Sequence, residues 1–202
     1  NKLTSLPDLP SLPTALEKLY CYNNQLTSLP NLPPTLKLLN CSYNKLISLP
    51  SSLPPTLERL YCNDNNLTSL PYPLPPTLKE LYCNDNNLTS LPVLPPTLKE
   101  FDCCNNNLTS LPSSLPPTLK ELDCNCNNLT SLPSSLLFCR NLSEIIYFGN
   151  EIELTLPQIR FIERIRNRAY LNNGSVYGDQ QNVHNSAVQK SLLESINVLF
   201  RK

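Results

Sequence analysis

Residues 57–71 read LERLYCNDNNLTSLP, residues 78–92 read LKELYCNDNNLTSLP, and residues 98–112 read LKEFDCCNNNLTSLP. The same frame holds at 16–30, 36–50 and 119–133. One cysteine marks its register, at Cys21, Cys41, Cys62, Cys83, Cys103 and Cys124, with spacings of 20, 21, 21, 20 and 21 residues. An asparagine follows three residues later each time, at Asn24, Asn44, Asn65, Asn86, Asn106 and Asn127, and Asn1 and Asn150 read as outlying members of that row. So short a period cannot hold a helical hairpin, so each repeat must be one turn of a solenoid. No turn can bury its leucines alone; the stack is the folding unit.

Elementary chemistry assigns the parts of each turn. In L-x-C the Leu and Cys alternate with polar or aromatic residues, the period of a strand with one buried face. Stacked turns would pair such strands in parallel, about 4.8 Å apart. Proline cannot donate to a ladder and prefers extended geometry, so the LPPTL segments belong on the outer, convex return. The inward asparagines are expected to bond backbone groups of neighbouring turns, because a buried amide without partners is costly.

Composition divides the chain in two. Twenty of the 21 prolines precede residue 134, all nine cysteines lie at or before Cys139, and the three glycines all follow it. The change falls between residues 140 and 157, giving repeats over 1–157 and a helical capping region over 158–202. The repeat region is expected to hold seven or eight turns of 20–23 residues. Sixteen Lys and Arg balance sixteen Asp and Glu, so no bulk charge draws the chain to nucleic acid or a membrane. No apolar run approaches the length of a membrane-spanning helix. There is no methionine, so Asn1 is not expected to be the translation start.

These residues resemble the leucine-rich repeat family, whose pattern LxxLxLxxNxL is met here with Cys in the third Leu place. The proline-laden LPxLPPTLxxL form looks most like the short LPX class of bacterial effector proteins, and the likeness covers about residues 1–157. It implies a curved solenoid with strands on the concave face, where such proteins usually bind another protein. Asn1 already stands in the repeat frame, so the family's usual N-terminal helical cap is expected either to have been lost with residues upstream or to be replaced by another subunit at that end. The later string VYGDQQNVHNSAVQKSLLESI resembles a C-terminal segment of repeat proteins from large DNA viruses that infect amoebae.

Several motifs suggest chemistry and fail on position. Six cysteines share one inward column, where Cys acts as a small hydrophobe. Cys103, Cys104, Cys124 and Cys126 offer zinc-binding letters, but alternation sends Cys103 and Cys124 to the core and the other two elsewhere. No metal site and no cofactor is therefore expected; a Cys104–Cys126 link stays open. Some bacterial LPX-class effectors are ubiquitin ligases with a Cys-x-Asp motif, and Cys62-Asn63-Asp64 and Cys83-Asn84-Asp85 match its letters. A nucleophile needs exposure and a lowered pKa, which a buried column denies, so no enzymatic activity is expected. Free buried thiols favour a reducing compartment, host cytoplasm or virion. The Asn-x-Ser/Thr sequons, four of them in the repeated NNLTS, argue for secretion more weakly.

The functional signal lies on outward strand positions. One column reads Tyr20, Asn40, Tyr61, Tyr82, Asp102 and Asp123, flanked by Tyr22, Tyr43, Asp64, Asp85, Glu80, Glu100 and Glu121. Tyrosines on an open face make good protein-binding anchors, and the grade from tyrosine to acid suits an apolar knob beside a basic stretch. Tyr20, Tyr22, Tyr43, Tyr61, Tyr82, Asp102 and Asp123 are the candidate partner-binding residues. The expected function is a non-enzymatic protein-interaction module; the alternative is a structural component contacting its own copies or capsid subunits. In QIRFIERIRNRAY, Arg160, Arg164 and Arg168 oppose Ile159, Ile162, Ile165 and Ala169, the pattern of an amphipathic helix. A last helix is expected after Asn185 or Ser186, with Val188, Leu192, Ile196 and Leu199 covering the solenoid end and His184 structural.

Overall fold

A computed structural model describes residues 1–7 and 15–173. Seven short strands, β1 (Lys18–Tyr20), β2 (Leu38–Asn40), β3 (Arg59–Tyr61), β4 (Glu80–Tyr82), β5 (Glu100–Asp102), β6 (Glu121–Asp123) and β7 (Glu144–Ile146), form one parallel sheet in chain order. Each turn of the solenoid adds one strand. The register puts Leu39, Leu60, Leu81, Phe101 and Leu122 in one row, facing the core. The strands end one residue before the cysteine that the L-x-C pattern includes. Pairing still runs past that end, since Cys62 N–H donates to Tyr82 O at 2.9 Å and Asp64 N–H to Asn84 O at 3.1 Å.

The chain turns two residues after each cysteine. Asn23, Tyr43, Asp64, Asp85, Asn105 and Cys126 all have φ between 48° and 55°, and Gly149 has φ 67°. Asn and Asp tolerate this left-handed conformation, and Gly149 is required to, because a Cβ there would stand 3.0 Å from Cys126 Sγ. Tyr43 and Cys126 hold it without that help. Asp64 and Asp85, read from the sequence as surface acids, are thus also corner residues.

Behind the corner runs the asparagine ladder. Asn65 Nδ2 donates to Cys41 O, Cys62 O and Asn63 O at 3.1–3.2 Å, and its Oδ1 accepts Leu46 N–H at 2.9 Å. Asn44, Asn86, Asn106 and Asn127 repeat the arrangement, and Asn150 joins it as the row predicts. A second ladder, unforeseen from the sequence, stitches the proline side. Thr77 Oγ1 donates to Pro55 O and Leu57 O at 2.8 Å, and Thr56, Thr97 and Thr118 do the same. Proline removes backbone donors on this return, and the threonine hydroxyl replaces them.

Leu46, Leu57, Leu60, Leu67, Leu78, Leu81 and Leu88 have no exposed surface at all. Full burial of a leucine contributes about 1.5–3 kcal/mol, so each turn is stabilised chiefly by its neighbours. The helix α1 (Leu156–Asn173) then packs on β7 and on a 3-10 turn at Ser134–Phe138. Ile159, Ile162 and Ile165 are buried as the periodicity predicts, joined by Phe161. Its start is fixed by Gln158, whose Oε1 accepts Thr155 N–H at 3.0 Å while Nε2 donates to Leu132 O at 2.8 Å. The expected last helix, His184 and the segment of viral resemblance lie outside the described residues.

Candidate functional site

The outward side of the sheet carries the candidate residues in the predicted column, with Tyr20, Asn40, Tyr61, Tyr82, Asp102, Asp123 and Ile146 in register. Tyr20, Tyr22 and Tyr43 are more than half exposed. Tyr22 follows a cysteine directly, whereas Tyr43 stands at a corner, so they occupy two different columns. Tyr61 and Tyr82 are only partly exposed and meet each other, with ring centroids 5.2 Å apart and planes at 55°. Their polar tips are occupied: Tyr61 OH donates to Glu80, and Tyr82 OH donates to Glu100 Oε2 at 2.8 Å. Glu80 also accepts Arg59 Nε at 2.9 Å. Burial, and then the glutamate partner, push both phenols well above their usual range.

Beyond Tyr82 the face turns acidic. Asp102 Oδ1 accepts Cys104 N–H and Asp123 Oδ1 accepts Asn125 N–H, each at 3.0 Å. These bonds orient the two carboxylates against their own corners. Burial, with the charges of Asp102 and Glu144 nearby, pushes Asp123 up to about 6. Burial likewise raises Asp102, and Glu121 is raised by burial and then by Glu100 and Glu144. Tyr82, Glu100, Asp102, Glu121, Asp123 and Glu144 line a shallow concavity on this part of the sheet. Glu144 was not legible in the L-x-C pattern of the sequence, because the seventh turn carries Ile145 and, just past β7, Tyr147 where earlier turns have Leu and Cys. Counting back from Asn150 would have placed it.

Asp102, Cys104 and Asp123 each bring one potential ligand atom to within 4.8 Å of the others. Two carboxylates and one thiol are one donor short of a closed zinc site. All nine cysteines are free thiols, so Cys104 and Cys126 are not bridged.

The Leucine Rich Repeat family pattern matches residues 97–117 and 118–139. A Shigella effector LRR domain is 38% identical over 82% of this chain and 72% of its own, with a TM-score of 0.66. The chain belongs to the leucine-rich repeat family. YopM from Yersinia enterocolitica WA-314 is 41% identical over 76% of this leucine-rich repeat chain, with a TM-score of 0.70. The chain spans about a third of that protein, 33% of its length. A YopM from Yersinia pestis is 34% identical over 75% of this chain and 48% of its own, with a TM-score of 0.64. No curated protein matches the sequence.

Within this leucine-rich repeat the Cys-x-Asp letters have no reactive thiol behind them. Cys62 and Cys83 are fully buried, and burial pushes both thiols up, opposite to what a nucleophile needs. On α1, Arg160, Arg164 and Arg168 are exposed, with Arg164 stacked 5.5 Å from the Phe161 ring centre. Among the described residues no helix is long and apolar enough to cross a membrane.

Proposed function

We propose that this leucine-rich repeat solenoid is a non-enzymatic module that binds a partner protein on its concave face. The supporting observation is the group of tyrosines on the outward side of the first four turns: Tyr20, Tyr22 and Tyr43 exposed, and beyond them the tilted, touching pair Tyr61 and Tyr82. Such rings offer a large contact area at low entropic cost, and a rigid pair whose hydroxyls are already tied loses little more on binding. Asp102 and Asp123 extend the same surface. On this reading residues 1–157 form the binding solenoid and 158–202 its C-terminal cap, with the start of α1 bracing the last turn. The similarity to effector LRR domains supports a protein partner. Nine free thiols, seven of them buried, suit a reducing compartment such as host cytoplasm.

The test compares proteins captured from host-cell lysate by the natural chain, by Tyr20→Ala/Tyr22→Ala and by Tyr61→Ala/Tyr82→Ala, after circular dichroism has shown all three folded. A partner held by the natural chain and lost by either variant is the expected result. Capture of the same proteins by all three would end the concave-face assignment. Capture of its own copies alone would favour the assembly reading.

A further inference from the structure

On one flank the second turn departs from the repeat. From the corner onward, the outward residues of the third turn are Asp64, Asn66 and Thr68, and the fourth and fifth turns keep those small polar types. The second turn has Tyr43, Lys45 and Ile47 instead. The inward residues between them are unchanged: Leu46 has no exposed surface, and Asn44 Nδ2 donates to Cys21 O and Cys41 O at 3.0 Å. The backbone is unchanged too. Tyr43 N–H donates to Asn63 O at 3.0 Å as Asp64 N–H does to Asn84 O at 3.1 Å, and Lys45 N–H donates to Leu26 O at 2.9 Å as Asn66 N–H does to Leu46 O at 2.8 Å. The stack asks the same of this turn as of its neighbours, and Asp, Asn and Thr meet that demand elsewhere. Tyr43 and Ile47 nevertheless stand 57% and 65% exposed, and Tyr22 in the adjoining turn 52%. At φ 54° Tyr43 also holds a left-handed conformation that Asn or Asp adopts with less strain. Large apolar groups left in water, one of them at a strained corner, serve binding rather than folding.

Resting on the reading that the tyrosine-bearing face binds a protein, we infer that the flank of the second turn is the specificity-determining rim of that interface and takes an apolar side chain of the partner with a carboxylate beside it. Tyr43 and Ile47 supply the apolar area, and Lys45, between them along the chain, supplies the cation. Lys45 is exposed and makes no ion pair with any described residue. Asp64, close enough to act on the Tyr43 phenol, does not bridge it. The turns on either side carry Gln25 and Asn66 at the place of Lys45, so the charge is confined to this turn. A partner that covers the two apolar groups also removes water from around the ammonium group. A carboxylate arriving with the apolar group then offsets that loss, whereas a basic side chain in its place is repelled. Tyr22 continues the apolar area onto the concave face.

The test returns these three places to the repeat in the full chain, as Tyr43→Asn/Lys45→Asn/Ile47→Thr. Its urea midpoint should be no lower than that of the natural chain, since the replacements are those that neighbouring turns already carry. Binding is read by fluorescence anisotropy with two labelled peptides, one with aspartate between two leucines and one with lysine in its place. The aspartate peptide should bind the natural chain and lose about tenfold in affinity to the triple variant. Lys45→Glu should reverse the preference towards the lysine peptide. A lowered midpoint in the triple variant would show that these side chains serve the fold and would overturn the inference. Absence of binding by the aspartate peptide, equal binding of the two peptides, or undiminished binding to the triple variant would overturn it as well. A lysate partner lost from Tyr61→Ala/Tyr82→Ala but kept by the triple variant would overturn this inference alone and leave the concave-face reading standing.

Discussion

Asn86 and Leu67 join two successive turns: the Leu67 N–H donates to Asn86 Oδ1 at 2.9 Å. The same side chain donates through Nδ2 to Cys62 O, Cys83 O and Asn84 O at 3.0–3.1 Å. One buried amide therefore bonds four backbone groups at once, and only Asn84 O among them also takes part in the backbone pairing between turns.

Removing it should be costly. Asn86→Ala strands the buried Leu67 N–H and removes one of two donors from each of Cys62 O, Cys83 O and Asn84 O, and we expect a loss of about 3 kcal/mol in urea unfolding. Asn24, at the exposed end of the ladder, makes the analogous bonds partly in contact with water. Asn24→Ala should cost about 1 kcal/mol. Equal losses at the two sites would show that burial does not set the ladder's strength.

Asp123 gives stability a pH dependence. Its carboxyl sits at about 6 in the fold, against an ordinary value of 3.8, because burial and neighbouring carboxylates oppose the charge. Between these values the folded chain holds a proton that the unfolded chain has released, so this group lowers stability as pH rises through about 6. The penalty is present at neutral pH and absent below the ordinary value. Asp123→Asn keeps the bond from Asn125 N–H and removes the charge. Water reaching the half-exposed carboxylate reduces the gain to about 1 kcal/mol at neutral pH, with none expected in acid. Thermal melts at the two pH values check it, and an equal shift at both would refute the charge explanation.

Thiol reactivity should separate the cysteines. Cys126 is exposed and Cys104 half-buried, whereas the other seven are buried. Burial and then Asp102 raise the Cys104 thiol. A disulfide reagent at neutral pH should therefore modify Cys126 first, Cys104 slowly, and the remainder only on unfolding. Rapid modification of Cys62 or Cys83 in the folded chain would contradict the buried column.

Much of this architecture is legible along the chain because a short repeat enforces it. Once Leu60, Leu81 and Cys62 recur at one spacing, stacking is the only way to bury them, and the alternation fixes which residues face out. The asparagine row was readable for the same reason, since a buried amide must find partners. The register of β7 was harder, because Ile145 and Tyr147 replace the marker letters and hid Glu144. The threonine ladder was also missed: Thr77 looks like any surface threonine until the carbonyls of Pro55 and Leu57 are seen beside it.

The sequence by itself determined that the chain is a leucine-lined solenoid, with prolines outside and tyrosines and acids on the open side, because period and alternation are properties of one dimension. Only the tertiary structure decided how those outward residues combine. It tied the Tyr61 and Tyr82 hydroxyls to Glu80 and Glu100, paired Arg59 with Glu80, and set no cation of the described residues against Glu121 or Glu144. Such pairings depend on direct and diagonal neighbours across strands, and side-chain reach between turns is set by sheet geometry, which spacing along the chain does not encode.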